Sequence, residues 1–346
     1  GNYADEFGTF GISTTGYEKL VWEVSKQWNF GAELGILQDR LTLGVDVYNK
    51  RSVSTIMSDE IQGSLGLPSH YKNLGELSNK GIELTLNAKP INNEFKWLIY
   101  GNFSYNRNRV EKLTRVSNEP LDASFMRALD VGHGVGEYYT YNWAGVDPIT
   151  GLGLFYTDGT KTATTTKRSE AKRTFQGKSP FAKYTAGLKT DFIYKGFQLS
   201  VFFTGQFDYA VHNRWQNYVM SDGFQTEYTQ TKDMLYDVWS PTNPNASNPK
   251  PIKGQNEQSR LPSTRWMRDG DHIRLKEVKL AYTFNDLFKK STGLENLTVY
   301  AKGTNLWLWA FDSDLTFDPE SNSNALGGWQ GKGLYDNTSP IMKTVS

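Results

Sequence analysis

The sequence predicts an all-β protein: about eight long antiparallel strands of a transmembrane β-barrel, with long loops gathered at one end. Three observations predict it. Hairpins recur along the chain with apolar and polar residues in alternation. The connections alternate between very short and very long. No run of about 18 to 20 apolar residues could form a spanning helix. The mean hydropathy of −0.57 is compatible with this fold, because only alternate strand residues of a barrel face lipid and the loops are polar.

Residues 1–18 read as a surface loop with no cationic stretch and apolar run of a signal peptide, and suggest a piece of a longer chain. The first strand is expected over 21–36. There Trp22, Val24, Trp28, Phe30, Ala32, Leu34 and Ile36 share one parity. Lys26 interrupts that set, which suits a membrane interface where its stem can snorkel. Gln38-Asp39-Arg40 turns the chain into 41–57, where Leu41, Leu43, Val45 and Val47 alternate with Thr42, Gly44, Asp46 and Tyr48. A lipid-facing charge is costly, so Asp46 assigns its parity to the lumen or to a plug.

Residues 58–78 read as a loop with Gly63, Gly66 and Pro68. The clearest hairpin follows, 79–90 and 95–113, around Ile91-Asn92-Asn93-Glu94. From 114 to 181 periodicity fades, except for a short strand at Glu137 to Trp143. A third hairpin, 183–194 and 197–211, turns on Lys195-Gly196. An excursion over 212–270 carries a proline- and asparagine-rich run. The last hairpin is 272–286 and 296–312, with 313–343 as loop. Ile273 and Leu275 oppose the parity of Val278, Leu280, Tyr282 and Phe284, so a bulge is expected near Lys276-Glu277. Trp307, Trp309 and Phe311 read as an interface belt. Short turns on one side and long loops on the other match periplasmic and extracellular ends.

Lys and Arg number 38 against 37 Asp and Glu, which gives no reason to expect nucleic acid as a partner. Cysteine is absent, so no disulfide framework is available. His70, His133, His212 and His272 are scattered, and no catalytic or nucleotide-binding motif occurs, so an enzyme is not indicated. Two alternatives share the hairpin pattern. A secreted all-β carbohydrate-binding module would be water-soluble without detergent, and a passive porin would need no plug.

Several segments resemble one family. They are NLGELSNKGIELTLNA (73–88), NWAGVDPITGLGLFY (142–156), RWMRDGDHIRLKEVKLAYTF (265–284) and LTVYAKGTNLWLWAFDSDLTFDPE (297–320), with 16–50 also similar. In this order they resemble TonB-dependent outer-membrane transporters of the SusC/RagA type from Bacteroidetes. The resemblance implies a 22-stranded plugged barrel in the cell outer membrane and import of large solutes such as oligosaccharides or peptides. It also implies a SusD-like lipoprotein partner, and TonB contacted through an N-terminal region. Residues 1–346 would be a C-terminal barrel portion, with the plug, TonB box, first barrel strands and final strand not in this sequence.

Substrate-binding candidates are the loop aromatics and amides Trp215, Asn217, Tyr218, Trp239, Tyr139, Tyr141, Asn142 and Trp329. Flat rings stack on sugars and amides give directional hydrogen bonds, although loop packing or lid contact is the preferred reading for each of them. No catalytic residue and no cofactor is expected. Asp147, Asp158, Asp314 and Asp318 could offer hard oxygens to Ca2+ in an extracellular loop, but their spacing matches no EF-hand and solvated acidic loops are the preferred reading, for Asp312 and Glu320 as well. Gly75, Gly81, Asp269 and Gly270 read as turn chemistry. Arg274, Lys276, Lys279 and Lys302 are expected to line the lumen or pair with plug carboxylates.

Overall fold

The computed structural model describes residues 2–3, 7–8, 18–60, 69–114, 120, 126–254, 257–288, 293–323, 331–336 and 338–346. Eight long strands dominate it: β1 (Val24–Ile36), β2 (Leu41–Glu60), β3 (Ser69–Asn92), β4 (Phe95–Leu113), β5 (Tyr184–Tyr194), β6 (Phe197–Phe207), β7 (His272–Phe288) and β8 (Leu294–Ala310). A two-residue strand, β9 (Thr344–Val345), completes one sheet in the order β9-β8-β7-β6-β5-β4-β3-β2-β1. Each long strand is antiparallel to its neighbours in the chain, and among the described residues β1 does not pair with β8. The sheet is therefore an open arc of barrel wall. No helix is long and apolar enough to cross a membrane.

Register explains why alternation was readable. Successive Cβ atoms point to opposite faces. Paired positions stack Ala32, Val45, Leu84, Phe103 and Ala186 in one row on the apolar face. The next row toward the long loops is Phe30, Val47, Ile82, Tyr105, Tyr184 and Phe207. Large side chains on this face stand uncovered, with Phe30 at 72% exposure, Trp307 at 67% and Trp309 at 63%. Aromatic rings gather at its two margins. Toward the short turns, Phe192 stacks with Trp97 and Phe197 packs on Tyr282. Toward the long loops, Tyr105 stacks with Tyr184 and Phe207 packs at a tilt on Phe311. Two aromatic girdles flanking an aliphatic band are what a lipid-facing barrel surface requires. Leu84→Arg in that band should cost about 2–4 kcal/mol if it lies at the bilayer midplane. The check is the denaturant midpoint of the vesicle-inserted protein, with Thr85→Arg on the polar face shifting it far less.

The predicted bulge is present. Leu275 pairs with Phe203 and Glu277 with Phe202, so Lys276 is the extra residue. It returns Ile273 and Leu275 to the same face as Val278 and Leu280. Lys195 and Gly196 both take positive φ, 45° and 88°, the turn that matches strand twist. Asp46 lies on the polar face against Gly31.

Several boundaries differ from expectation. β1 begins at Val24, three residues later than expected, β2 runs on to Glu60, and β3 starts at Ser69. Register shifts around Ser52 to Ile56 and at Glu76/Leu77 break the alternation there, which hid these strands in the sequence. The loop glycines Gly63 and Gly66 and Pro68 lie outside the described residues. Gly75 and Gly81 are strand residues, not turns. A Cβ at Gly81 would meet the Tyr48 ring at 2.4 Å, so this glycine gives room to a cross-strand aromatic. Gly270 likewise admits the Tyr209 ring, 2.5 Å from where a Cβ would stand.

The long excursions fold into a cap. Between β4 and β5, Tyr139–Tyr141 pairs with Arg173–Phe175, and Gly153–Tyr156 lies between Trp143–Val146 and Thr164–Thr165. Strand β6 stops at Phe207, where Asp208 has φ 57°, and Ala210–Asn213 joins a separate sheet with Met267–Asp269 and Leu334–Tyr335. Buried Tyr138 ties the three excursions together by donating toward Ala210 O (3.1 Å) and Gly333 O (3.3 Å). Met126 and Ala210 are buried with it, and Met267 packs against them.

Candidate functional site

The cap and the polar face of the wall form the candidate solute-handling region. Arg274 stands on the polar face of β7, 3% exposed, and contacts Asp318 and Glu320 at 2.6 Å each. The last excursion is thereby pinned to the wall. This corrects one expectation: Asp318 and Glu320 are not a solvated cluster, and Arg274, on the polar face, takes carboxylates of the last excursion. Lys302 likewise pairs with Glu277 at 2.7 Å, and Lys279 sits 4.8 Å from the Tyr300 ring.

The binding candidates occupy separate neighbourhoods. Trp215, Tyr218 and Tyr228 pack with ring centroids 5.5 to 6.3 Å apart around the one-turn helix Gln216–Val219. Asn217 is buried inside that turn. Tyr139 packs on Phe175 at 4.8 Å, beside the Arg173 guanidinium. Tyr141 lies under Arg168 at 3.9 Å, and buried Asn142 donates to the Thr174 hydroxyl at 2.6 Å. Trp239 donates its indole N–H to Pro148 O at 3.1 Å and covers Gly151. Trp329 lies outside the described residues. Apart from Asn217, whose buried Oδ1 has no hydrogen-bond partner among the described residues, each described candidate has a partner within the cap.

The D-P-x-T-G segment is a local turn. Asp147 accepts from Ile149 N (2.9 Å) and from the Thr150 hydroxyl (2.7 Å), which hold its carboxyl below the usual range, and Gly151 has φ 74°. Asp158 accepts in the same way from Thr160. Asp314 donates its backbone N–H to Asp312. Among the described residues no three His, Asp or Glu side chains come together to hold a metal ion.

Two features were not anticipated. First, Asp222 is fully buried and takes both Arg265 nitrogens, Nη1 at 2.5 Å and Nη2 at 3.0 Å, while accepting from Ser259. Arg265 also donates to Asn248 at 2.9 Å and lies between the Trp143 and Trp266 rings. The R-W dipeptide at 265 was the available signal, but its partner is 43 residues away. Second, a cavity of about 580 Å3 opens where the cap meets the upper wall. Asn79, Asn106, Asn108, Glu137, Lys178 and Lys183 line it. Asn108 bridges Asn79 (2.9 Å) and Val135 N (2.7 Å). Glu137 accepts from Gly177 N at 2.9 Å, and Asp208 pairs with both lysines at 2.7 and 2.6 Å. Amides, a carboxylate and two ammonium groups suit a polar solute rich in hydrogen-bonding groups.

Two titratable groups of the cap respond to pH in opposite senses. Burial, with Arg127 and Arg214 nearby, pushes His212 down to about 3. The folded state keeps this imidazole neutral, whereas the unfolded chain protonates near pH 6.5. Its contribution is therefore complete above about pH 6.5 and is lost progressively on acidification. Asp271 opposes it: burial and neighbouring Asp269 raise it to about 6, so the folded state holds the proton more readily and gains stability as pH falls toward the ordinary carboxylate range. Moving from about pH 7 to about pH 5 should make the cap more susceptible to limited proteolysis, and Asp271→Asn should enlarge the effect.

Comparison with known proteins gives the fold its relatives. The family profile "TonB dependent receptor-like, beta-barrel" matches residues 1–173. TonB-dependent receptor P3 of Formosa agariphila is 29% identical over 328 residues, 88% of this chain and 31% of that protein. TonB-dependent receptor SusC of Bacteroides thetaiotaomicron is 23% identical over 80% of this chain and 27% of its own length. The solved structure of the RagAB peptide transporter matches with a TM-score of 0.83 and 25% identity, covering 99% of this chain and 37% of that one. The chain thus spans about a third of the length of the first of these relatives. With a matching profile, matching relatives and a matching wall, the chain belongs to the TonB-dependent receptor-like β-barrel family.

Proposed function

We propose that the chain forms part of the wall and surface cap of an outer-membrane importer of large nutrients, oligosaccharides or peptides, driven through TonB and lidded by a SusD-like lipoprotein. On this reading residues 1–346 are a C-terminal portion of the barrel, and the plug, the TonB box and the closing strand belong to other parts of the polypeptide. The observation that carries it is the open antiparallel arc, apolar on one face, with a hydrogen-bonded cap seated on the polar face. A secreted carbohydrate-binding module is disfavoured by that uncovered apolar face, which water would not tolerate over such an extent. The amide-rich cavity favours solutes with many donors and acceptors, as peptides and sugars both have. The aromatics at 215, 218 and 228 favour stacking ligands and remain substrate-contact candidates beside Asn217, Tyr139, Tyr141, Asn142, Trp239 and Trp329.

The test is uptake by cells carrying or lacking the gene, with and without functional TonB, using labelled oligosaccharide and peptide pools. Loss of uptake of one pool in both mutants supports the reading and names the substrate class. Uptake that persists without TonB would point to a passive porin, and recovery of the folded receptor in the soluble fraction would overturn the membrane assignment.

A further inference from the structure

We propose that the apolar face carries, just beyond its long-loop girdle, a docking site for the phosphorylated headgroup of an outer-leaflet glycolipid. The proposal rests on the outer-membrane reading above.

The face of each residue follows from contacts. Asp46 meets Gly31, Tyr48 covers Gly81 and donates to Asn106, and Asn108 holds the cap at Val135. These residues define the polar face. The alternate residues of the same strands therefore share the face of Phe30, Val47, Ile82 and Tyr105. Continuing that face toward the long loops, the next row is Trp28, Asn49, Lys80 and Arg107, and the row after it is Lys26, Arg51, Ser78 and Arg109. All five cations are exposed.

Two of the cross-strand pairs are like-charged: Lys26 opposite Arg51, and Lys80 opposite Arg107. Like charges directly opposite each other destabilise a sheet. Only part of this is offset locally. Glu76 pairs with Arg51 at 2.6 Å and lies 4.0 Å from Lys112, while Glu111 accepts from Ser78 at 2.6 Å. A multivalent anion lying across the two rows would relieve the remaining repulsion. Arginine presents a planar fork suited to phosphate oxygens.

The adjoining surface selects a lipid over a soluble anion. Trp28 and Phe30 are exposed beside the cations, and rows are spaced about 7 Å along the strand. Acyl chains can lie on Phe30, Val47 and Ile82 while phosphates reach Lys80 and Arg107. Phe207 lies in the girdle row of Phe30 and Tyr105 and ends β6, so among the described residues the two cation rows beyond it are carried by β1 to β4. The charge is thus a localised patch.

The experiment uses the complete receptor, extracted from outer membranes in mild detergent and examined by native mass spectrometry. Bisphosphorylated lipid A and its phosphate-free form are titrated against it. The first variant is Lys80→Gln with Arg107→Gln, and the second is Lys26→Gln with Arg51→Gln. A control, Lys89→Gln with Lys96→Gln, removes the same charge at the short-turn end. The unchanged receptor and the control should bind bisphosphorylated lipid A equally, and each test variant should bind it about tenfold or more weakly. The phosphate-free lipid should bind all forms weakly. Equal binding by receptor and variants, an equal loss in the control, indifference to lipid phosphate, or an acidic protein occupying the patch in place of lipid would each overturn the proposal. If one variant does not reach the membrane folded, as judged by heat-modifiable migration, the other decides. A receptor absent from the outer membrane refutes the transport reading, whereas a membrane-inserted receptor without lipid preference refutes only the docking site.

Discussion

Arg265→Met should destabilise the cap by about 3–5 kcal/mol, because removing one partner of a buried ion pair leaves the other charge uncompensated. Asp222 is the charge left behind, with no exposure to solvent. Arg265 also packs on two tryptophan rings and donates to Asn248 and to Ser259 O, so the loss includes packing and two further hydrogen bonds. The measurement is thermal unfolding of the detergent-solubilised receptor, read at a tryptophan signal and by protease cleavage within 212–270. The double replacement Arg265→Met with Asp222→Leu should recover much of the stability, since a well-packed apolar pair can substitute for a buried ion pair. Equal loss in the single and double variants would show that packing, not charge, holds this part of the cap.

Arg274→Met should release the last excursion from the wall, again at a cost of about 3–5 kcal/mol to that contact. Asp318, 7% exposed, and Glu320, 20% exposed, would be left facing each other without their cation. Protease accessibility of 312–343 should rise while the hairpins of the wall keep their heat-modifiable migration. Arg274→Lys should rescue only partly, because one ammonium cannot span both carboxylates as the guanidinium does. If accessibility is unchanged, the excursion is held by Tyr209 and its neighbours and not by the ion pair.

The wall was legible and the cap was not, for physical reasons. In β2, β3 and β4 the two-residue period reports directly which side of the sheet a residue faces, and Asp46 marks the polar side on its own. Even the bulge at Lys276 left a trace, as a change of parity between Leu275 and Val278. The upper ends of β2 and β3 left none, because irregular register around Ser54 and Gly75 mixes the two faces. In the cap, strands such as Gly153–Tyr156 contain glycine and few β-branched residues, and they form because tertiary neighbours hold them. Gly81 was misread as a turn residue since its reason, the Tyr48 ring, lies on another strand. The cavity was invisible in the sequence because Asn79, Asn108, Glu137 and Lys183 come from four distant stretches.

Tyr138 has a consequence for the order of assembly. The wall joins neighbours in the chain, so each hairpin can close as soon as its two strands exist. The bond from Tyr138 to Gly333 closes a separation of 195 residues, and that from Arg127 to Lys332 one of 205. Contacts between such distant residues are slow to form, since loop closure must precede any gain from them. By the same argument the contacts of Tyr138 and Arg127 with the last excursion should form late, after the local pairing of the hairpins.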